Sequence, residues 1–324
     1  MTATTMQALV FDAAGKAEEV LALKTVSVPE PAAGEVLVQL EASPMHPADM
    51  MFIGGRYRIK PALPQVAGLE GSGKVVAAGE GVSLAVGTRV AFRHPGTWAE
   101  YVSVPVAKIH AVPDGIEADS ACQFSLNPLT AWALLDDADV KAGDWIAVNA
   151  ASSGIARLVH GLATRKGIKV IGIVRGAAKI TLPFPVVSTE VVDLAASLLE
   201  VTGGQTIAAL LDCVGGQSIT RVFPAMHQGA TIVSYGVMET TAAQVTNVDM
   251  IYRNLSWKGF GIDYWLSRSS EAVPRMTSEI WQAMAYGGLD LPVKSAFPLA
   301  GFKAALQAMN TGPNTGKVLL GSGA

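Results

Sequence analysis

Two cysteines in 324 residues, Cys122 and Cys213, are too few for a disulfide framework or for a four-cysteine zinc lobe. Thiols used this sparingly suit a reducing compartment. Charge is scarce as well: 24 Lys and Arg stand against 27 Asp and Glu, and the net charge of -3 offers no general attraction to nucleic acid or to an anionic membrane surface. No apolar run reaches membrane-spanning length. The stretch from Met1 to Lys16 has neither a basic segment followed by an apolar one nor the Arg-rich, acid-poor look of a transit peptide. There is no internal repeat and no low-complexity tract. The default expectation is a soluble cytoplasmic protein with no nucleic-acid and no membrane partner.

Apolar side chains make up 50% of the chain, enough at this length for two domains with cores of their own. From Met6 to about Val112 the sequence breaks into short β-prone pieces, Gln7 to Phe11, Glu35 to Ala42, Gly71 to Ala77, Arg89 to Phe92 and Glu100 to Val104, separated by Gly and Pro turns. From Asp119 to about Gly261 strands and helices alternate, with strands expected at Ile146 to Ala150, Lys169 to Val174, Ala209 to Leu211, Ala230 to Tyr235 and Ser256 to Gly261. That pattern predicts a doubly wound parallel sheet. Gly176 to Val187, with Pro183 and Pro185, is short for a full helix and reads as a trimmed helix or an irregular loop. A helix near Ser269 to Ala285, an extended piece at Val293 to Phe297, a helix at Ala300 to Asn310 and a last strand at Lys317 to Gly321 return to the β-rich part.

Within the alternating region, a strand ending at Ala150 runs into the small residues Ala151, Ser152, Ser153 and Gly154, then into a helix from Ile155 to Lys166. Small residues let backbone N–H groups approach a pyrophosphate, and the helix aims its positive N-terminus at the same anion. Only Gly154 stands where the dinucleotide fingerprint has three glycines. The next strand ends on Arg175, about 20 residues after the turn, where a carboxylate would accept from the adenosine ribose and an arginine accommodates a 2′-phosphate. NADPH is therefore expected over NADH. The alternative for Arg175 is a solvated surface charge.

Ala67-Gly68-Leu69-Glu70-Gly71-Ser72-Gly73-Lys74-Val75 resembles the signature of the medium-chain dehydrogenase/reductase superfamily. That superfamily couples a GroES-like β-barrel catalytic domain to a Rossmann domain. Pro47-Ala-Asp49 near Gly55-Arg-Tyr57, Gly96-Thr-Trp98, Leu126-Asn-Pro-Leu-Thr-Ala131, the turn with Arg175, Asp212-Cys-Val-Gly-Gly216 and Val233-Ser-Tyr-Gly236 extend the likeness over nearly the whole chain. Within the superfamily the chain is most similar to zinc-independent, mitochondrial-type enoyl thioester reductases, and next to quinone oxidoreductases. The resemblance implies a GroES-like domain over 1–119, an NADPH-binding Rossmann domain over 120–264 and a return to the catalytic domain over 265–324.

It also assigns residues. In zinc-dependent relatives three side chains hold the catalytic metal, and the matching positions here look like His46, Leu69 and Leu126, which supply one donor. No metal is expected, and Glu70 reads as a hydrogen-bond acceptor for its loop. Without a Lewis acid a ketone lacks activation, whereas a conjugated alkene beside a carbonyl accepts hydride if a donor stabilises the developing enolate. Tyr57 matches the tyrosine held to be that donor in the enoyl thioester reductases; otherwise it is a loop tyrosine covering apolar surface. His46 stands where asparagine is usual, either as a second acid or as cleft filling.

Asn127 and Thr130 fall where nicotinamide or phosphate contacts are implied, or they start and cap a helix. Tyr235 and Gly236 look like residues that pass under the cofactor, at the carboxyl end of a strand. Phe260, Tyr264 and Trp265 either line a substrate pocket or form a hydrophobic seam between domains or subunits. A homodimer through the edge strands Thr231 to Tyr235 and Ser256 to Gly261 is implied. The expected activity is reduction of an enoyl thioester, with a quinone or enone as the alternative substrate and a non-catalytic nucleotide-binding relative as the alternative class.

Overall fold

The computed structural model describes residues 4–176, 181–311 and 315–321. Numbered in chain order, the strands are β1 (Thr5–Phe11), β2 (Ala22–Ser27), β3 (Glu35–Pro44), β4 (Gln65–Val66), β5 (Glu70–Ala78), β6 (Arg89–Arg93), β7 (Tyr101–Pro105), β8 (Ile109–Ala111), β9 (Trp145–Asn149), β10 (Lys169–Val174), β11 (Val186–Ser188), β12 (Ile207–Asp212), β13 (Met226–Ser234), β14 (Ser256–Gly259), β15 (Val293–Pro298) and β16 (Lys317–Gly321). The α-helices are α1 (Ala17–Val20), α2 (Pro47–Ile53), α3 (Ala118–Ala121), α4 (Asn127–Ala138), α5 (Gly154–Arg165), α6 (Leu194–Val201), α7 (Asn247–Tyr252), α8 (Ile262–Arg268), α9 (Val273–Ala285) and α10 (Phe302–Asn310). The fold is mixed α/β, with an all-β style of organisation first and a parallel sheet after it.

Two compact units form, one from Met1–Leu126 with Leu291–Ala324 and the other from Asn127–Asp290. The divisions expected at 119/120 and 264/265 therefore both move toward the C-terminus. The second shift has a physical cause: α8 and α9 pack on α4, where Trp265 meets Trp132 edge to face with centroids 5.6 Å apart and Trp132 Nε1 donates to Glu279 at 2.6 Å. Helices 262–285 thus belong to the nucleotide-type unit.

In the first unit β3 is the hub. It pairs antiparallel with β5, β7 and β16, and β5 continues to β6 and β8. Leu37, Val38 and Leu40 of β3 are buried, as a strand covered on both faces requires. A second sheet, β2-β1-β4, closes over a core that includes Leu9, Phe11, Phe52, Ile53 and Trp98. Gly68 of the signature sits at φ +88°, and a Cβ there would run into Thr97 and Trp98, so only glycine fits. The short strands β2, β4 and β8 lie outside the alternation visible in the sequence.

The second unit carries a six-stranded parallel sheet in the order β11-β10-β9-β12-β13-β14. Renumbered from β9, that is 3-2-1-4-5-6, the order of the dinucleotide-binding fold, and its chain reversal falls between β9 and β12. The trimmed helix or loop expected over 176–187 lies partly in 177–180, outside the described residues; 181–185 are irregular and β11 opens at Val186.

Candidate active site

A line of polar side chains is buried in the first unit. His46 adopts an extended backbone (φ -125°, ψ 154°) and precedes Pro47, the first residue of α2, where a missing N–H costs nothing. Asp49 reaches back to accept from the His46 backbone N–H at 2.6 Å. β16 pairs with the end of β3 (Leu319 with Pro44, Leu320 with Ser43), and Met45 N–H donates to Val318, so the head of β16 arrives beside His46. Lys317 Nζ lies 2.8 Å from His46 Nδ1, and His46 Nε2 lies 2.6 Å from Glu70 Oε2. His46 is 3% exposed and Glu70 is fully buried. Glu70 starts β5 directly across from Arg93 on β6.

Burial drives the electrostatics of this group. It lifts the Glu70 carboxyl to about 8 against the pull of Lys317, and it lowers the Lys317 ammonium against the pull of Glu70. The His46 imidazole is pushed down to about 3, first by burial and then by the neighbouring Lys317. With the imidazole neutral, hydrogen-bond valence allows two arrangements. Either Lys317 ammonium donates to Nδ1 and Nε2–H donates to a Glu70 carboxylate, or protonated Glu70 donates to Nε2 and Nδ1–H donates to a neutral Lys317 amine. Both are neutral overall, and both leave a neutral imidazole with no free nitrogen. Of the two expectations for His46, a second acid or cleft filling, this geometry agrees better with the latter, since both ring nitrogens have partners.

The same geometry bears on zinc. A metal at the position of the zinc-dependent relatives would need His46 nitrogen lone pairs, but one nitrogen faces Lys317 Nζ and the other faces Glu70. Leu69 and Leu126 carry no donor atoms. Among the described residues no group of three or more His, Cys, Asp or Glu side chains is arranged to hold a metal ion. The residues present do not fit a catalytic zinc.

Tyr57 follows α2, and its backbone N–H, like that of Arg56, donates to the Met51 carbonyl (3.0 and 2.8 Å). Its ring is half-buried against the core that holds Phe52 and Trp98, with the Arg58 guanidinium 5.6 Å from the ring centre. Burial lowers the nearby Arg93 guanidinium from its ordinary value, and both Tyr57 and Glu70 lie close to it. No side chain among the described residues hydrogen-bonds the Tyr57 hydroxyl.

In the second unit the β9–α5 turn has the features of an anion site. Ala150 turns at φ 46°, Ser153 caps α5 by accepting from Ala156 N–H at 3.2 Å, and Ser152 lies in the same turn. The N–H groups of Gly154 and Ile155 lie in the first turn of the helix, where no intrahelical acceptor exists. Gly154 is exposed, and the nearest atom to a Cβ placed there is Asn127 Nδ2 at 4.0 Å. Asn127 therefore faces the turn from the head of α4, while Thr130, one turn on, is 7% exposed. Arg175 directly follows β10 with an exposed side chain, and the Glu190 carboxylate stands beside the following Gly176, 3.5 Å from where a Cβ would be.

At the chain reversal, Asp212 is 1% exposed and accepts from the Asn149 amide, from Val214 and Gly215 N–H (both 3.0 Å) and from Ser234 Oγ (2.9 Å). Tyr235 N–H donates to the Asp212 carbonyl at 2.7 Å, and its hydroxyl is buried beside the Cys213 thiol, which burial pushes up. Gly236 passes so close to Cys213 that a Cβ would stand 3.0 Å from the Cys213 Cβ. The turn, the helix end and the arginine fit a dinucleotide with an adenosine 2′-phosphate.

Comparison with known proteins agrees with this geometry. Residues 32–114 match the alcohol dehydrogenase GroES-like domain and residues 186–320 match the zinc-binding dehydrogenase family. A Xenopus tropicalis mitochondrial enoyl-[acyl-carrier-protein] reductase is 30% identical over 340 residues, covering 94% of this chain and 91% of that protein. A Caenorhabditis elegans protein of the same name is 31% identical, covering 87% and 84%. The chain belongs to the medium-chain dehydrogenase/reductase superfamily. Among solved structures, a native mycobacterial quinone oxidoreductase superposes on this dehydrogenase/reductase with a TM-score of 0.87 at 26% identity, covering 98% of this chain and 99% of that one. A mycobacterial protein complexed with NADPH gives 0.83, also at 26% identity, with the same coverage.

The aromatic trio of this superfamily member does not converge. Trp265 is 1% exposed and locked against Trp132, Tyr264 is 70% exposed beside Arg268, and Phe260 is half-buried with its N–H on the Ser234 carbonyl at 2.8 Å. Of the two alternatives left open for this group, pocket or seam, Trp265 packs against Trp132 inside the second unit. Sequence reasoning gave no role to Lys317, which is 271 residues from its partner His46, and named Asp212 only within a family-like segment and Asn149 only within a strand. A buried-strand terminus carrying Asn or Asp was the available signal for the latter pair.

Proposed function

We propose that this oxidoreductase is an NADPH-dependent, metal-free reductase of the conjugated double bond of enoyl thioesters. The observation that carries this reading is the closed polar line in the first unit. With the His46 nitrogens facing Lys317 and Glu70 the residues there do not fit a metal, and Tyr57 is left as the half-buried donor whose hydroxyl no described side chain engages. NADPH, when bound, supplies the hydride. The residues that would hold it are the 152–155 turn, Asn127, Thr130, Tyr235 and Gly236, with Arg175 forking onto the 2′-phosphate. Tyr57 donates its hydroxyl hydrogen bond to the substrate carbonyl oxygen as negative charge builds there, or delivers the proton at the α-carbon. The names of the curated relatives support a thioester as the acceptor.

The test is the decay of NADPH absorbance with crotonyl-CoA, an enone and a benzoquinone in parallel, in wild-type and Tyr57→Phe protein. Thioester reduction should be the fastest and should drop about 10²-fold or more in Tyr57→Phe, as loss of a general acid does. Unchanged turnover in the variant would remove Tyr57 from the mechanism, and no decay with any acceptor despite NADPH binding would leave a non-catalytic nucleotide-binding protein. A second reading, quinone reduction, is favoured by the solved mycobacterial quinone oxidoreductase; fastest decay with benzoquinone would select it.

The working form we infer is a homodimer, because β14 is an edge strand with one hydrogen-bonding side open, preceded by exposed Val248, Ile251 and Tyr252. A monomeric mass in light scattering would overturn it. No described helix is long and apolar enough to cross a membrane. Two free cysteines suit the reducing cytoplasm we assign, which fractionation would check.

A further inference from the structure

Within the reading of Tyr57 as the donor, nothing yet explains why Lys317 should be brought to His46 from the far end of the chain. α2 spans only Pro47–Ile53, two turns, too short to hold itself in water. Its head is fixed by three contacts on one residue: Asp49 on the His46 backbone N–H (2.6 Å), Glu70 on Nε2 (2.6 Å) and Lys317 on Nδ1 (2.8 Å). Its tail passes directly to the donor, since Arg56 and Tyr57 both hang from the Met51 carbonyl and Gly54 from that of Met50. Strands β5 and β16 thus grip the helix at one end, and the tyrosine is suspended from the other.

We propose that Lys317 is a positioning residue for the reaction: by holding the His46 ring against Glu70 it fixes the head of α2, and through α2 it fixes the turn that presents Tyr57. No other chemistry is asked of it. It keeps the imidazole ring in one orientation, so the ring works as a rigid bolt between two strands. A reacting group displaced by about 1 Å loses on the order of 10²-fold in rate, which sets the size of the expected effect.

The test uses full-length protein. Lys317→Met keeps the length of the stem and removes the donor. It should lower kcat for thioester reduction roughly 10- to 100-fold while leaving the dissociation constant for NADPH unchanged. Lys317→Ala should regain part of that loss on addition of n-propylamine, which a merely destabilised protein would not do. In a Tyr57→Phe background Lys317→Met should add nothing further, because the group it positions is gone. Losses that multiply in the double variant, or a Lys317→Met enzyme with full kcat, would overturn the proposal.

A Tyr57→Phe enzyme that keeps full kcat sinks the reading of Tyr57 instead. The two failures are told apart by ¹⁵N spectra of His-labelled protein: Lys317→Met should shift the His46 Nδ1 resonance, and an unchanged resonance refutes the clamp whatever Tyr57 does. Should Lys317→Met fail to fold, Lys317→Gln retains an N–H donor on a shorter stem and should fold with an intermediate kcat; wild-type kcat in it together with an unmoved Nδ1 resonance overturns the proposal.

Discussion

Replacing Asp212 by Asn tests the nucleotide unit at its most connected side chain. The carboxylate is 1% exposed, and Oδ1 alone accepts from the Asn149 amide, Val214 N–H and Gly215 N–H, while Oδ2 accepts from Ser234 Oγ, which in turn accepts from Trp257 Nε1. These bonds tie the carboxyl ends of β9, β12 and β13 together at the chain reversal and link them to Trp257 of β14. A hydrogen bond to a charged group contributes ~1.5–3 kcal/mol against ~0.5–1.5 for a neutral one, so neutralising Oδ1 should cost about 1 kcal/mol on each of three bonds. The fourth is recoverable, because the new amide can donate to Ser234 Oγ once that hydroxyl turns. The sum is ~3 kcal/mol, which for a domain of this size lowers Tm by roughly 6–12 °C. Calorimetry measures it directly, and NADPH fluorescence titration should show weaker binding, because the 213–216 loop hangs from these bonds. A Tm within about 1 °C of wild type would mean that the carboxylate charge does not hold the strand ends.

Two further outcomes follow from single groups. Burial raises the Asp49 carboxyl from 3.8 to about 6, so between those pH values the folded chain keeps a proton that the unfolded chain has released, and stability falls as pH rises through the window. Asp49→Asn has no such proton to lose, and its stability relative to wild type should climb by up to about 3 kcal/mol from pH 4 to 6.5 in urea titrations; a difference that does not vary with pH would contradict the assignment. Arg175→Asp should weaken NADPH by ~10²-fold and NADH far less, since a 2′-phosphate would meet a carboxylate; equal losses in calorimetric binding would mean that the exposed guanidinium does not read the phosphate.

The sheet of the second unit was legible because buried parallel strands are continuous apolar runs: Ile146 to Val148 and Ile207 to Leu211 advertise themselves. The dinucleotide turn could be read from Ser152 to Gly154, with one glycine, because the helix that follows does the same electrostatic work. The domain boundary was misplaced because helices 262–285 carry no mark of which core they join; that is decided by Trp265 finding Trp132 across 133 residues. Short edge strands such as β4, two residues long, have no periodicity to detect. The polar line was invisible for a similar reason. His46, Glu70 and Lys317 are unremarkable singly, and their meaning lies in a strand pairing, β16 on β3, that no local pattern encodes.

That pairing also bears on how a chain can lose a metal position and keep its neighbours. A fully buried Glu70 left alone would be a large uncompensated cost, several kcal/mol if ionised. In a metal-holding site a cation nearby would balance it; here Leu69 and Leu126 leave no such site. The compensation comes from within the chain: where Glu70 is ionised Lys317 supplies one positive charge, where Glu70 is protonated Lys317 is a neutral amine, and His46 joins the two in either arrangement. Removing Glu70 alone would strand the Lys317 ammonium, and removing Lys317 alone would strand the carboxylate or force a proton onto it. Glu70→Gln paired with Lys317→Gln should therefore be less damaging to stability than either single change, since each buried charge departs with its counterpart.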